Sequence, residues 1–293
     1  MDIINQTDLV ENIDGEDKLG QPMINLSLVR DWGILDFYVL TGFRERTFPG
    51  DDGRLRYLLP VRTADTTYES GDENARIDGA VRWVHSIGAI EFGLYHFSGT
   101  SRDPTLRVAQ RPNGRYVLAP YYPVIDQSAI DAQAIAGDWI FKLEAFTRAG
   151  QGERFAAATG GFERTVVGVM DSRADLGLVL EYLWDERGGD ADSVYEHDIA
   201  FGTRFRFNDV ADTQALLGVI WDHETDEYIV KLEGSRRLGN SWAVIVEGRA
   251  FGGANMPDPN DTAAVLSTLG DPDRKTASVG QDDYLQLELT RYF

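Results

Sequence analysis

The chain has 293 residues, enough for one large β domain or two ordinary ones, with a formal net charge of -20 at pH 7 and no cysteine. The charge excludes a nucleic-acid partner, because phosphate binding needs a basic surface. The lack of cysteine excludes a disulfide framework. No stretch reaches the roughly 18 to 20 consecutive apolar residues of a spanning helix, so any membrane crossing has to use strands.

Residues 1–21 form a polar opening segment. Met1 to Lys18 has no basic n-region, apolar core or small-residue cleavage site and does not read as a signal peptide. From residue 22 onward apolar and polar side chains alternate with the period of a strand. The pattern is weaker around 22–29, 33–42, 78–86, 90–98 and 125–135. It is strong in Trp139, Phe141, Leu143 and Ala145, which oppose Lys142, Glu144 and Arg148. A weaker segment at 155–169 follows. Next come Leu176, Leu178, Leu180, Tyr182 and Trp184, an apolar row that ends in aromatics. Ile199, Phe201, Phe205 and Phe207 oppose Arg204 and Arg206, and Ala215, Leu217, Val219 and Trp221 oppose Gln214 and Asp222. Tyr228, Val230 and Leu232 oppose Lys231 and Glu233, and Trp242, Val244 and Val246 oppose Glu247 and Arg249. With the last segment, 283–293, this makes about thirteen strands of the roughly 9 to 11 residues a tilted membrane strand requires. No helical stretch is comparably strong.

The connections alternate between tight and long. Short turns are read at 30–32, 87–89, 136–137, 170–174, 208–212 and 237–240, each with fitting turn residues. Between them lie 43–77, 99–124, 149–154, 186–196, 223–226 and 252–282, several of them long and rich in Asp, Gly and Pro. Gly160-Gly161 and Gly252-Gly253 read as bulge or loop-entry positions.

In the last eleven residues Leu285, Leu287, Leu289 and Phe293 share one face, opposite Gln286, Glu288 and Thr290. This pattern resembles the carboxy-terminal signature of Gram-negative outer-membrane β-barrels, in which alternating hydrophobes and a final Phe form the assembly signal. Arg291 departs from it, standing on the apolar row where a hydrophobe is commoner. Its stem suits the headgroup layer with the guanidinium reaching water or phosphate. The segments Arg44–Gly50 and Tyr121–Gln127 look like fixed features of a porin-like family. The resemblance implies a bacterial outer-membrane location, with lipid, lipopolysaccharide and the barrel-assembly machinery as partners, and it leaves a homo-oligomer open. The expected fold is all-β: a transmembrane antiparallel up-and-down β-barrel of about 14 strands over 22–293. The short-turn end would face the periplasm. Walking the alternation backward leaves residues 1–21 outside, so the reading expects one further strand, either before Met1 or within 103–121.

On this fold the polar rows face the interior: Asp36, Arg82, Glu91, Lys142, Glu144, Arg148, Glu181, Arg204, Arg206, Lys231, Glu233, Glu247, Arg249 and Glu288. An Arg or Lys on the lipid face at mid-depth costs about 2 to 4 kcal/mol, so these charges point to water or to one another. They line a pore for small solutes, or they neutralise one another across a filled interior. The acidic loop residues Asp51, Asp52, Glu69 to Glu73, Asp190, Asp192, Asp258 and Asp261 suit a solvated surface, and none has the spacing of a calcium loop. No cofactor or metal motif occurs, and no Gly-x-Ser-x-Gly or His-Glu-x-x-His appears. The expected function is passive diffusion of small solutes, without catalysis. A barrel hydrolase stays open as an alternative if His96 or His223 meets a Ser and a carboxylate, as does a soluble all-β binding domain. Asp222 and His223, adjacent on a strand, point to opposite faces and make an awkward dyad.

Overall fold

The computed structural model describes residues 3–10 and 17–293, so that parts of the 1–21 segment, residues 1, 2 and 11–16, lie outside the described residues. Strands come in chain order as β1 (Gln6–Thr7), β2 (Lys18–Leu19), β3 (Met23–Arg30), β4 (Gly33–Leu40), β5 (Thr67–Tyr68), β6 (Asp78–Ile87) and β7 (Ile90–Thr100). They continue as β8 (Thr105–Gln110), β9 (Tyr116–Tyr122), β10 (Val124–Ala136), β11 (Trp139–Ala149), β12 (Phe155–Val166) and β13 (Asp175–Asp185). The last are β14 (His197–Arg206), β15 (Gln214–Asp222), β16 (Tyr228–Leu238), β17 (Trp242–Gly252) and β18 (Tyr284–Arg291), with helix α1 (Thr262–Leu269) in the connection before β18.

Thirteen of these strands form one antiparallel sheet in the order β18-β17-β16-β15-β14-β13-β12-β11-β10-β7-β6-β4-β3. They are the thirteen strands expected from the alternation, joined by tight and long connections in the expected order. Gly88 and Gly137, with φ of 62° and 61°, take the left-handed conformation that two-residue hairpin turns need. The strand β8 does lie within 103–121 and β9 mostly so, but they build a separate three-stranded sheet with β5, not an addition to the large one. The chain divides into two compact units, Met1–Ala132 with Glu144–Ala158, and Gln133–Leu143 with Thr159–Phe293.

In the first unit the register aligns Leu26, Phe37, Val81 and His96 across β3, β4, β6 and β7 on one face, and Asp36, Arg82 and Tyr95 on the other. The second face ends in a small core of Leu40, Phe97 and Ile125, packed by Met23, Tyr38 and Ala80. Aromatic residues of the long connections collect in this unit. Phe43 meets Tyr122 edge-on at 4.8 Å, and Tyr68 stacks on Tyr122 at 5.4 Å. Burial pushes the Tyr122 hydroxyl up to about 12, and its oxygen accepts the Arg46 amide at 2.8 Å.

A buried ion cluster ties these connections to the strand ends. Asp78 accepts from Arg76 Nε at 3.0 Å, Arg102 at 2.9 Å and the Thr100 amide at 3.0 Å. The Arg102 guanidinium lies 5.1 Å from the Phe43 ring and 5.3 Å from the Phe97 ring. A β-carbon on Gly99 would sit 2.3 Å from the Asp78 carboxyl carbon, so only glycine leaves Asp78 its place. Removing one partner of a buried pair strands the other charge, at a cost of about 3 to 5 kcal/mol. Asp78→Ala should therefore lower the stability of the folded chain by about that amount, read as an earlier unfolding midpoint in urea. A midpoint within experimental scatter of the wild type would refute the structural role given to Asp78.

In the second unit the register sets Leu180, Phe201, Val219 and Val230 in one row, and Leu178, Thr203, Leu217 and Leu232 in the next. The row continues through Gly248 to Leu285. These side chains are not buried: Phe201 is 49% exposed, Leu217 48% and Leu285 72%. Tyr182, Ile199, Trp221 and Tyr228 close the same face at the end of the long connections.

Candidate functional site

The opposite face of each unit carries the charges. In the second unit Lys142 pairs with Glu163 at 3.3 Å, and Arg204 approaches the same carboxylate at 4.0 Å. Gly177 lies beside this cluster, and a β-carbon there would meet Arg204 Cβ at 3.6 Å and Glu163 Oε1 at 3.7 Å, ordinary contact distances. Further along, Lys231 pairs with Glu233 at 2.7 Å and Arg249 with Glu247 at 3.3 Å. The Tyr284 hydroxyl donates to Glu247 at 2.5 Å. Glu288 accepts the Thr290 hydroxyl at 2.7 Å, Glu181 stands opposite Ala200, and Arg206 stands opposite Gln214.

In the first unit Ser27 donates to Asp36, which stands opposite Arg82 in the ladder. The Arg82 guanidinium lies 5.2 Å from the Tyr95 ring, and Glu91 stands opposite Ser86. Arg148 donates to Gln127 at 2.7 Å and to Gln151 at 2.9 Å. Glu144 lies two positions before Phe146, on the same row as Arg148. The candidate residues thus sit on the charged rows, mostly as paired clusters. Asp36 and Arg249 are buried and do not offer their charge to bulk water. Glu163, which the sequence reading did not single out, is the carboxylate on which two of the expected cations converge. Its position in a weakly alternating segment hid it.

At the carboxy terminus Leu285, Leu287 and Leu289 are exposed on the apolar face, as is Phe293 just beyond β18. Arg291, the departure from the terminal pattern, has its guanidinium 5.4 Å from the Trp242 ring and 4.8 Å from the Phe293 ring. The charge is accommodated on an apolar row by aromatic faces.

Several acidic loop residues have local structural partners. Arg62 grips Asp51 through both carboxylate oxygens, which holds the Asp51 carboxyl below its usual range. Asp192 accepts from Arg187 at 3.4 Å, Asp258 accepts the Asn260 amide, and Asp261 caps α1 by accepting from the amides of Ala263 and Ala264. No group of three or more His, Asp or Glu arranged to hold a metal ion occurs among the described residues.

Two histidine sites stand on the apolar face. Asp222 and His223 form no dyad: Asp222 is buried and caps its own turn through the amides of Glu224 and Thr225, while His223 stacks on Tyr182 at 6.3 Å. His96 differs. Its Nδ1 lies 3.0 Å from Ser128 Oγ and its Nε2 lies 3.4 Å from Asp126 Oδ2, a carboxylate that Arg154 also reaches at 3.3 Å. Asp126 and Ser128, two apart on β10, share a face beside the neighbouring strand β7. The 99–124 connection between those strands hides this proximity in the sequence.

Gly160 and Gly161 lie inside β12, not at a loop entry. A β-carbon on Gly161 would stand 2.1 Å from the Leu180 carbonyl oxygen and 2.7 Å from Glu181 Cα, so glycine permits the close approach of β13. Gly253, with φ of 95°, is a loop entry as expected. No protein-family model, curated protein or solved structure matches the chain.

The two glycines give a paired prediction. Gly161→Ala should cost about 1 to 3 kcal/mol of stability by overpacking against a backbone. Gly160→Ala should be nearly neutral, because its nearest neighbour would be Leu143 Cδ1 at 3.4 Å. Parallel unfolding curves check this, and equal midpoints for the two variants would contradict the close-approach account.

Proposed function

We propose that the chain is a porin-like outer-membrane β-barrel that conducts small hydrophilic or weakly amphipathic solutes by passive diffusion. The observation that carries this reading is the division of the sheet into two chemically distinct faces. One face exposes Leu, Phe and Trp side chains along whole strands, and the other holds ion-paired charges. A water-soluble sheet with that apolar face would leave a large patch uncovered, the usual mark of a surface meant for lipid or a partner. The strand lengths and the alternation of tight and long connections support lipid. Small solutes would cross along the charged rows, with the Lys142–Glu163–Arg204 cluster setting a local field.

Conductance in planar bilayers tests this directly. The refolded chain should give discrete steps with a cation preference, in keeping with a net charge of -20. Glu163→Gln should lower the cation-to-anion permeability ratio by roughly a factor of two while leaving the fold intact. Folded protein that inserts but conducts nothing would defeat the channel reading.

A second reading rests on the Ser128–His96–Asp126 arrangement. His96 is placed to take the Ser128 proton as that oxygen attacks an ester carbonyl, with Asp126 stabilising the imidazolium. The leaving alcohol would take the proton back, and water would release the acyl group. It ranks second because Arg154 competes for Asp126. On this reading a short-chain nitrophenyl ester is cleaved by the wild type and not by Ser128→Ala. Equal rates for the two would exclude it.

A further inference from the structure

The connection between β17 and β18 contains α1 and then a segment, 274–280, that packs onto the ends of other strands of its unit. Lys275 Nζ lies 2.7 Å from Glu196 Oε1 and donates to the carbonyls of Gly188, Ala191 and Ser193 at 3.4, 3.2 and 3.1 Å. The Thr276 amide donates to the Glu227 carboxylate at 3.2 and 3.4 Å. Thr276, Ala277 and Val279 are buried, and Pro272 lies against Gly189. The segment thus bridges the β13–β14 and β15–β16 connections through one ammonium and one amide.

Charge in this pocket does not balance. Asp185 is matched by Arg187, which holds it at 3.0 and 2.9 Å and also reaches Asp192. Glu196, Asp198, Asp222 and Glu227 are all buried, and Lys275 pairs with Glu196. Asp222 is satisfied by its own turn, but Glu196 Oε2 and Asp198 Oδ2 are buried without a hydrogen-bond partner. The nearby His197 and His223 lie with Tyr182 on the apolar face, and Arg274 turns away to Asn255 and Thr268. Two buried carboxylate oxygens without donors and an excess of negative charge favour the uptake of a proton.

We propose that segment 274–280 is an acid-tightened latch, docked when the carboxylates beneath it gain a proton and loosened when they lose it. The direction runs against the simple expectation that acid breaks the Lys275–Glu196 pair. Burial pushes the Glu196 carboxyl up, aided by Asp222 and opposed by Lys275. Burial also pushes Glu227 up, opposed by the Thr276 hydrogen bonds and aided by Asp222 and Glu196. When the segment leaves, water returns these groups to their ordinary range. The docked state therefore binds protons more tightly than the undocked state, and docking weakens as pH rises through the raised values. The latch is read from contacts within one unit and does not depend on the passage of any solute.

Hydrogen exchange on the full folded chain tests it. The Ala277 and Val279 amides report docking, and the Ile220 and Ile229 amides of the β15–β16 ladder report the fold. After correction for intrinsic rates, protection at 277 and 279 should rise about three- to tenfold between about pH 7.5 and about pH 5, with the ladder unchanged. Glu196→Gln with Glu227→Gln should hold the segment docked and flatten that response. Lys275→Met should lower protection at the higher pH and steepen the recovery in acid. Protection that is flat or falls on acidification in the wild type would overturn the latch, as would a full pH response in the double Gln variant.

Discussion

The structure depends on one constraint: a hydrogen-bonded antiparallel ladder in which side chains alternate strictly between two faces. Once Leu180, Phe201, Val219 and Val230 stand in one row, every neighbour one residue away is committed to the other side. In water the exposed apolar row would be a liability. Against lipid it becomes the stabilising surface, and the inner strands satisfy their backbone polar groups on their neighbours. On the reading proposed here, that condition turns a long sheet into a membrane wall.

The same alternation dictates the charged face. Carboxylates and cations placed on it meet across strands, and glycines set how closely they can approach. Gly161 lets β13 come close to β12. Charges that end up buried need full pairing, as Asp78 has in the first unit. The Glu196–Glu227 cluster in the second unit lacks that balance, which is why the pH response is placed there.

Much of the sheet was legible in the sequence. Period-two alternation located all thirteen strands of the large sheet, and the turn residues separated tight connections from long ones. The helix α1 and the strand β5 were not legible, and a strand around β8 and β9 was expected only from the parity of the connections, because each is short and held by tertiary packing instead of by its own pattern. The charged rows were readable residue by residue, but their pairings were not. Lys142 and Glu163 meet because β11 and β12 are neighbours, and His96 meets Ser128 because the strands on either side of a long connection are adjacent. The excess of buried carboxylates near Lys275 was hidden for a similar reason: Glu196, Asp198, Asp222 and Glu227 come from the ends of β14, β15 and β16, far from that lysine in the sequence.

The central claim is that the apolar rows face lipid and the charged rows face water. Nitroxide labels placed singly at residues 214 to 221 of β15, in protein reconstituted into vesicles, test this most directly. The account predicts that labels at 215, 217, 219 and 221 collide preferentially with oxygen dissolved in the bilayer. Labels at 214, 216, 218 and 220 should favour a water-soluble nickel chelate. Accessibility without a period of two, or nickel preference at the odd positions, would contradict it.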